Sequence, residues 1–209
     1  MGHEDGISEL HYEIIREIVH TGACPSNAVL ARRLNSPISE VERNLRVLAD
    51  CHGIVLHPYA LRPWVVHPFS LTPTLHWVEG NQRSWWAPCI WCALGVATIV
   101  GGRVNIHTRV GAEQEEVTIS VQDGQPISAQ ELVVHFAIPP AQAWRNVHEH
   151  CSMVLPFRLP SDIPAWCARP AKRASRPAPA SVQIGAEMVW VVPVTRLAQM
   201  EHFGSAPDS

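Results

Sequence analysis

A chain of 209 residues that is 46% hydrophobic and 17% charged is long enough to bury the core of one medium domain, or of a small domain followed by a larger one. That balance excludes a chain disordered throughout, and a net charge of −3 gives no global electrostatic case for binding nucleic acid. The 18 prolines predict many fixed turns rather than long uninterrupted helices.

The N-terminus, Met1 to Asp5, is polar and acidic, with no basic patch leading into an apolar run. Apolar residues recur at helical spacing from Ser8 to Val19 (Leu10, Ile14, Ile15, Ile18, Val19), which predicts an amphipathic first helix. Ser26 can cap a second, short helix carrying Leu30, Ala31 and Leu34. Ser36 before Pro37 offers a capping hydroxyl, and Ser39 to Glu42 has capping-box spacing. A third helix then runs to about Ala49 with Ile38, Val41, Leu45 and Leu48 on one face, and Gly53 stops it. Extended segments at Ile54–Leu56 and Trp64–Val66 follow. Three helices and a hairpin predict a winged helix-turn-helix over residues 1–66. Residues 1–60 hold five arginines against eight acids, and the third helix carries Glu40 and Glu42 beside Arg43 and Arg46. Phosphate contact needs a positive face, so the module argues against a nucleic-acid partner.

Residues 67–209 read as a second domain with short strands. A proline-rich connector, His67 to Pro73, precedes a turn at Gly80-Asn81. The longest apolar stretch, Trp85 to Val100, is broken by Pro88 and too short for a membrane span, so a soluble, cytoplasmic chain is expected. After the Gly101-Gly102 break, strand signals fall at Val104–Val110, Val117–Val121, Leu132–Ile138 and Ser152–Phe157. Residues 168–181 hold four basic side chains among prolines and alanines and read as an exposed loop. A last strand over Met188–Val194 and a closing helix over Thr195–Phe203 are expected. The fold class is therefore α+β.

Six cysteines in a cytosolic chain of this size are too sparse for a disulfide framework. Cys24, Cys51 and Cys167 sit in turn, helix-end and loop contexts that suit incidental thiols. Cys89 and Cys92 are three apart where a helix should begin, which places both sulfurs on one face near its N-terminus. The helix dipole and free N–H groups there favour thiolate over thiol. Cys151 follows His148-Glu149-His150 and precedes an apolar segment, so it can stand at a strand start facing the same pocket. A buried pair or a zinc site, with His148 and Cys151 completing a Cys₃His set, reads from the same residues.

The run Trp86-Ala87-Pro88-Cys89-Ile90-Trp91-Cys92-Ala93-Leu94, continuing to Gly101, resembles the first motif of the organomercurial (alkylmercury) lyase family. Cys151 falls on the family's second cysteine, and Pro160 and Trp166 match its later spacing. The resemblance implies an alkylmercury-lyase-like mixed α/β domain after the helical module. It also implies that Cys89 and Cys151 are catalytic thiols that bind mercury, and that a proton is delivered to the carbon leaving group. The departure is Cys92, which stands where the family has a catalytic aspartate.

Three converging thiols suit a sulfur relay, in which a persulfide on one cysteine passes sulfur from a persulfide or small sulfur-carrier protein to a small metabolite. This is the first expectation for function. Protonolysis of a carbon–mercury bond is the second, and a non-enzymatic protein holding mercury, zinc or copper at Cys89, Cys92 and Cys151 the third. None requires a cofactor. Trp86, Trp91, His148 and His150 are candidate pocket residues, His148, His150 or Glu149 can supply an acid, and a homodimer is compatible with the composition.

Overall fold

The computed structural model describes residues 3–127, 131–137, 147–168 and 190–193. Helix α1 spans His3–Thr21, α2 Asn27–Arg33 and α3 Ile38–Asp50. Helix α1 starts before the predicted Ser8 because the apolar repeat marks only its buried stripe, where Leu10 and Ile14 are fully inaccessible. Ser26 caps α2 as expected, its hydroxyl accepting from the Val29 N–H at 3.4 Å. The cap predicted for α3 is absent. Pro37 itself holds the extended cap conformation, and neither Ser36 nor a Ser39–Glu42 box bonds the free N–H groups. Ile38, expected on the buried face, is instead 48% exposed, while Asn44 joins Val41, Leu45 and Leu48 inside.

Strands β1 (Ile54–Leu56) and β2 (Pro63–Val66) pair antiparallel after the helices, in the predicted order. They do not stand apart as a wing. They form one edge of an eight-stranded antiparallel sheet with β3 (Phe69–Ser70), β4 (His76–Glu79), β5 (Ser84–Ala87), β6 (Arg103–Arg109), β7 (Glu116–Gln122) and β8 (Gln125–Pro126). The spatial order is β1-β2-β3-β5-β4-β6-β7-β8. The sequence reading missed β3 to β5, because proline masks the first and the tryptophans read as a loop. Alternation shows in their burial: His76 and Val78 inside with Trp77 less so, then Trp85 and Ala87 inside with Trp86 less so. The β4–β5 turn at Gly80 is closed by a Gly80 N–H to Arg83 carbonyl bond of 2.8 Å.

Helix α4, Ile90–Val100, lies against this sheet with Ile90, Ala93, Leu94, Val96 and Ala97 buried. It ends where predicted, at Gly101 and Gly102, both with φ of 65°. A second antiparallel sheet has the order β10 (Leu155–Phe157), β9 (Val133–Phe136), β11 (Trp190–Pro193). Helix α5, Val147–Ser152, precedes β10, and α6, Asp162–Cys167, follows it. The core joins α1, α2 and α3 to the large sheet and α4, and the Trp85 indole N–H donates to the Ile18 carbonyl at 2.8 Å across that junction. Among the described residues no helix is long and apolar enough to cross a membrane. Residues 169–181 of the basic loop and the closing helix expected over Thr195–Phe203 lie outside the described residues.

Candidate active site

Strand β5 delivers the chain to Pro88 and Cys89, and Cys89 is itself the N-cap of α4, with φ −153° and ψ 173°. Its Sγ accepts the Cys92 backbone N–H at 3.2 Å, the place a serine or aspartate oxygen takes in an ordinary cap. One turn on, Cys92 brings a second sulfur to the same end of the helix. The third arrives from a different element. Cys151 lies in the last turn of α5, not at the start of a strand as the sequence suggested, because the strand begins only at Leu155. Cys89, Cys92 and Cys151 nevertheless meet, hydrogen-bonded to one another, with Cys89 fully inaccessible and Cys151 5% exposed.

Three thiols in mutual contact cannot ionise independently. Hydrogen bonds from Cys89 and Cys92 push the Cys151 thiol down to about 3, and His67 and His150 nearby act in the same direction. Burial, then the bond to Cys151, holds Cys89 well above its usual range. The bonds to Cys151 and Cys89, then burial, do the same to Cys92. The network thus favours the thiolate on Cys151, the sulfur that receives both thiol hydrogen bonds. Spacing alone assigned the thiolate to the helix terminus at Cys89 and Cys92; burial at Cys89 and the bonds to Cys151 and Cys89 at Cys92 hold both thiols up instead.

Histidines surround the sulfurs. A ring nitrogen of His67 and the Sγ atoms of Cys92 and Cys151 all lie within 4.8 Å of one another. His67 sits in the β2–β3 turn, its N–H bonded to the Gly53 carbonyl at 3.2 Å, and Pro68 after it packs on Gly95 of α4. A methyl group at Gly95 would stand 3.3 Å from Pro68 Cβ, so a glycine there lets the turn close down on the helix. His76 of β4 is buried with its Nδ1 2.9 Å from the Thr108 hydroxyl, and burial lowers it to about 4. Nothing in the sequence spacing marked His67 or His76, since each is brought in by sheet pairing alone.

The predicted pocket residues separate. His148 lines a cavity of about 260 Å³ that also includes His76, Pro88 before Cys89, and Ser152 after Cys151. Trp86 lines a larger cavity of about 920 Å³, between the α1–α2 junction and the sheet, with Trp64, Trp77 and Trp85. Trp91 packs edge-on against Phe136, and His150 stacks on the same ring, 3% exposed. His148 is not in the thiol cluster expected from its H-x-x-C spacing; its ring faces Trp64 at 6.3 Å, and His67 takes the position beside the sulfurs.

A search of curated proteins finds no match to this chain. Among solved structures, one described as the mercury-bound form of MerB2 superposes with a TM-score of 0.67, covering 94% of each chain at 14% identity. At that identity the likeness speaks for the fold. The family model for alkylmercury lyase matches residues 69–190, a span that begins at β3 and holds Cys89, Cys92 and Cys151. That match covers more than half of the sequence, and with it the chain belongs to the alkylmercury lyase family.

Proposed function

We propose that this protein cleaves the carbon–mercury bond of organomercurial compounds by protonolysis, with Cys89, Cys92 and Cys151 as the reacting groups. The observation that carries the reading is the buried set of three hydrogen-bonded sulfurs, in a chain of this family. Soft mercury prefers thiolate to oxygen donors, and cleavage needs a proton source beside the leaving carbon. The Cys151 thiolate captures the R–Hg⁺ cation through a new S–Hg bond. A neighbouring thiol, from Cys89 or Cys92, then forms a second S–Hg bond as its proton passes to the carbon. The electron pair of the C–Hg bond takes that proton and leaves as R–H, with Hg²⁺ held on two sulfurs. No atom changes oxidation state through an outside oxidant or reductant, so no cofactor takes part.

Cys92 stands where the family resemblance places a carboxylate. A thiol has an ordinary pKa of about 8.5 against about 3.9 for aspartate, so it still carries its proton at neutral pH. The cavity beside the cluster, about 260 Å³, suits a small alkyl or aryl group. Incubation of metal-free protein with phenylmercury should release benzene, measured by gas chromatography. Cys89→Ser and Cys151→Ser should each lower that release at least tenfold, while Cys92→Asp retains it. Absence of benzene from both the native chain and Cys92→Asp overturns the reading.

The third thiol favours one second reading, relay of a sulfane sulfur from a persulfide or sulfur-carrier protein to a small acceptor. A persulfide donor should then add one sulfur to the intact mass, lost in Cys151→Ser. An unchanged mass removes it.

A further inference from the structure

The same corner of the molecule carries an imidazole, His67, that mercury cleavage does not use. Among the described residues, His67, Cys92 and Cys151 form a cluster in which one ligand atom from each lies within 4.8 Å of the others. The His67 Nε2 is buried and makes no hydrogen bond, which leaves an acceptor lone pair or an N–H unsatisfied in a dry site. Unsatisfied buried groups of that kind call for an explanation, and a bound ion supplies one. Cys89 completes the surroundings, hydrogen-bonded to both other sulfurs.

We infer that His67, Cys92 and Cys151 form a zinc site, with Cys89 beside them as a further thiol and the imidazole coming from the β2–β3 turn rather than from the His148-x-x-Cys151 pair. Tetrahedral zinc holds sulfur at about 2.3 Å and imidazole nitrogen at about 2.0–2.1 Å, which sets neighbouring donors roughly 3.5–3.8 Å apart. The His67 nitrogen and the Cys92 and Cys151 sulfurs already lie within 4.8 Å of one another, near that spacing. Three elements converge to preform it: the α4 cap, the last turn of α5, and a turn pinned by Pro68 against Gly95. No carboxylate joins this cluster, so the donors match a borderline-soft d¹⁰ ion rather than magnesium or calcium.

Zinc in this position occupies the sulfurs that capture an organomercurial, so metal-loaded protein is closed to that substrate until zinc leaves. The inference uses the sulfurs of the proposed lyase but not its reaction. Benzene release by metal-free protein tests the reaction; zinc binding tests the site.

The experiment titrates reduced, metal-free full-length protein with zinc in competition with a chromophoric chelator, then repeats it with His67→Gln and His148→Gln. One zinc should bind per chain. His67→Gln should weaken it by more than the roughly 10–100-fold that loss of an outer-shell partner costs, and His148→Gln should leave it unchanged. Cobalt loading of the native chain guards against a misfolded variant: it should give the intense visible bands of a tetrahedral ion and strong thiolate-to-cobalt charge transfer. Equal zinc affinity in native and His67→Gln protein, absence of stoichiometric zinc, or weak octahedral cobalt bands would each overturn the assignment.

Discussion

At the scale of single residues, the chemistry depends on which sulfur keeps the charge. Cys151 has its proton affinity lowered by two donated S–H bonds, so its thiolate persists as pH falls toward about 3 and is fully present at neutrality. Cys89 and Cys92 stay protonated over the same range because burial and the bonds to Cys151 raise them. At pH 6 the native chain should therefore show the ultraviolet absorbance of one thiolate that Cys151→Ser lacks. Equal absorbance would mean that the charge sits elsewhere. The meeting of the three sulfurs was legible from sequence, Cys89 and Cys92 from the local Cys-x-x-Cys pattern after Trp-Ala-Pro and Cys151 from its resemblance to the family's second cysteine. The identity of the histidine beside them was not. His67 lies far from Cys151 along the chain and meets it only through the folding of β2 and β3, whereas His148 lies three residues away and turns toward Trp64.

At the scale of elements, periodicity revealed α1 to α3 and the glycine stop of α4 because each buries one face or ends on a positive φ. Strands β3 to β5 escaped it: they are two to four residues long and lie near prolines, and β5 carries tryptophan on both faces. The caps of α3 and α4 also ran against the usual chemistry. Pro37 replaces a hydroxyl by fixing the backbone, and a cysteine sulfur replaces an oxygen at Cys89. The 3-10 turn Val110–Ala112 shows how closely the second sheet is fitted. Gly111 has φ +54°, its carbonyl accepts the Trp166 indole N–H at 2.9 Å, and an added methyl would meet Phe157 at 3.0 Å. Gly111→Ala should lower stability by about 1–3 kcal/mol through the left-handed backbone and this contact. Urea unfolding should show a reduced midpoint at unchanged slope; an unchanged midpoint would contradict the packing described.

At the scale of the whole molecule, five imidazoles among the described residues are held toward the neutral form by burial: His11, His67, His76, His135 and His150 are all shifted down. Each binds a proton more readily in the unfolded chain. Their stabilisation is thus complete above the ordinary histidine value of about 6.5 and drains away as pH falls below it. His76 alone, lowered to about 4, corresponds to roughly 3 kcal/mol lost across that window. The Tm should drop steeply between pH 7 and pH 4.5, and less steeply in His76→Gln; parallel curves would place the acid sensitivity in other groups. The α+β class and family were legible from element order and motif together, but the continuity of one sheet from β1 to β8 was not, because long-range pairing leaves no local mark. The mercury absorption edge reads the account's central claim most directly, on native protein after reaction with phenylmercury. Cleavage on the cysteine cluster predicts mercury bound by at least two sulfurs with no carbon neighbour. Mercury that keeps its carbon and gains a single sulfur would contradict it.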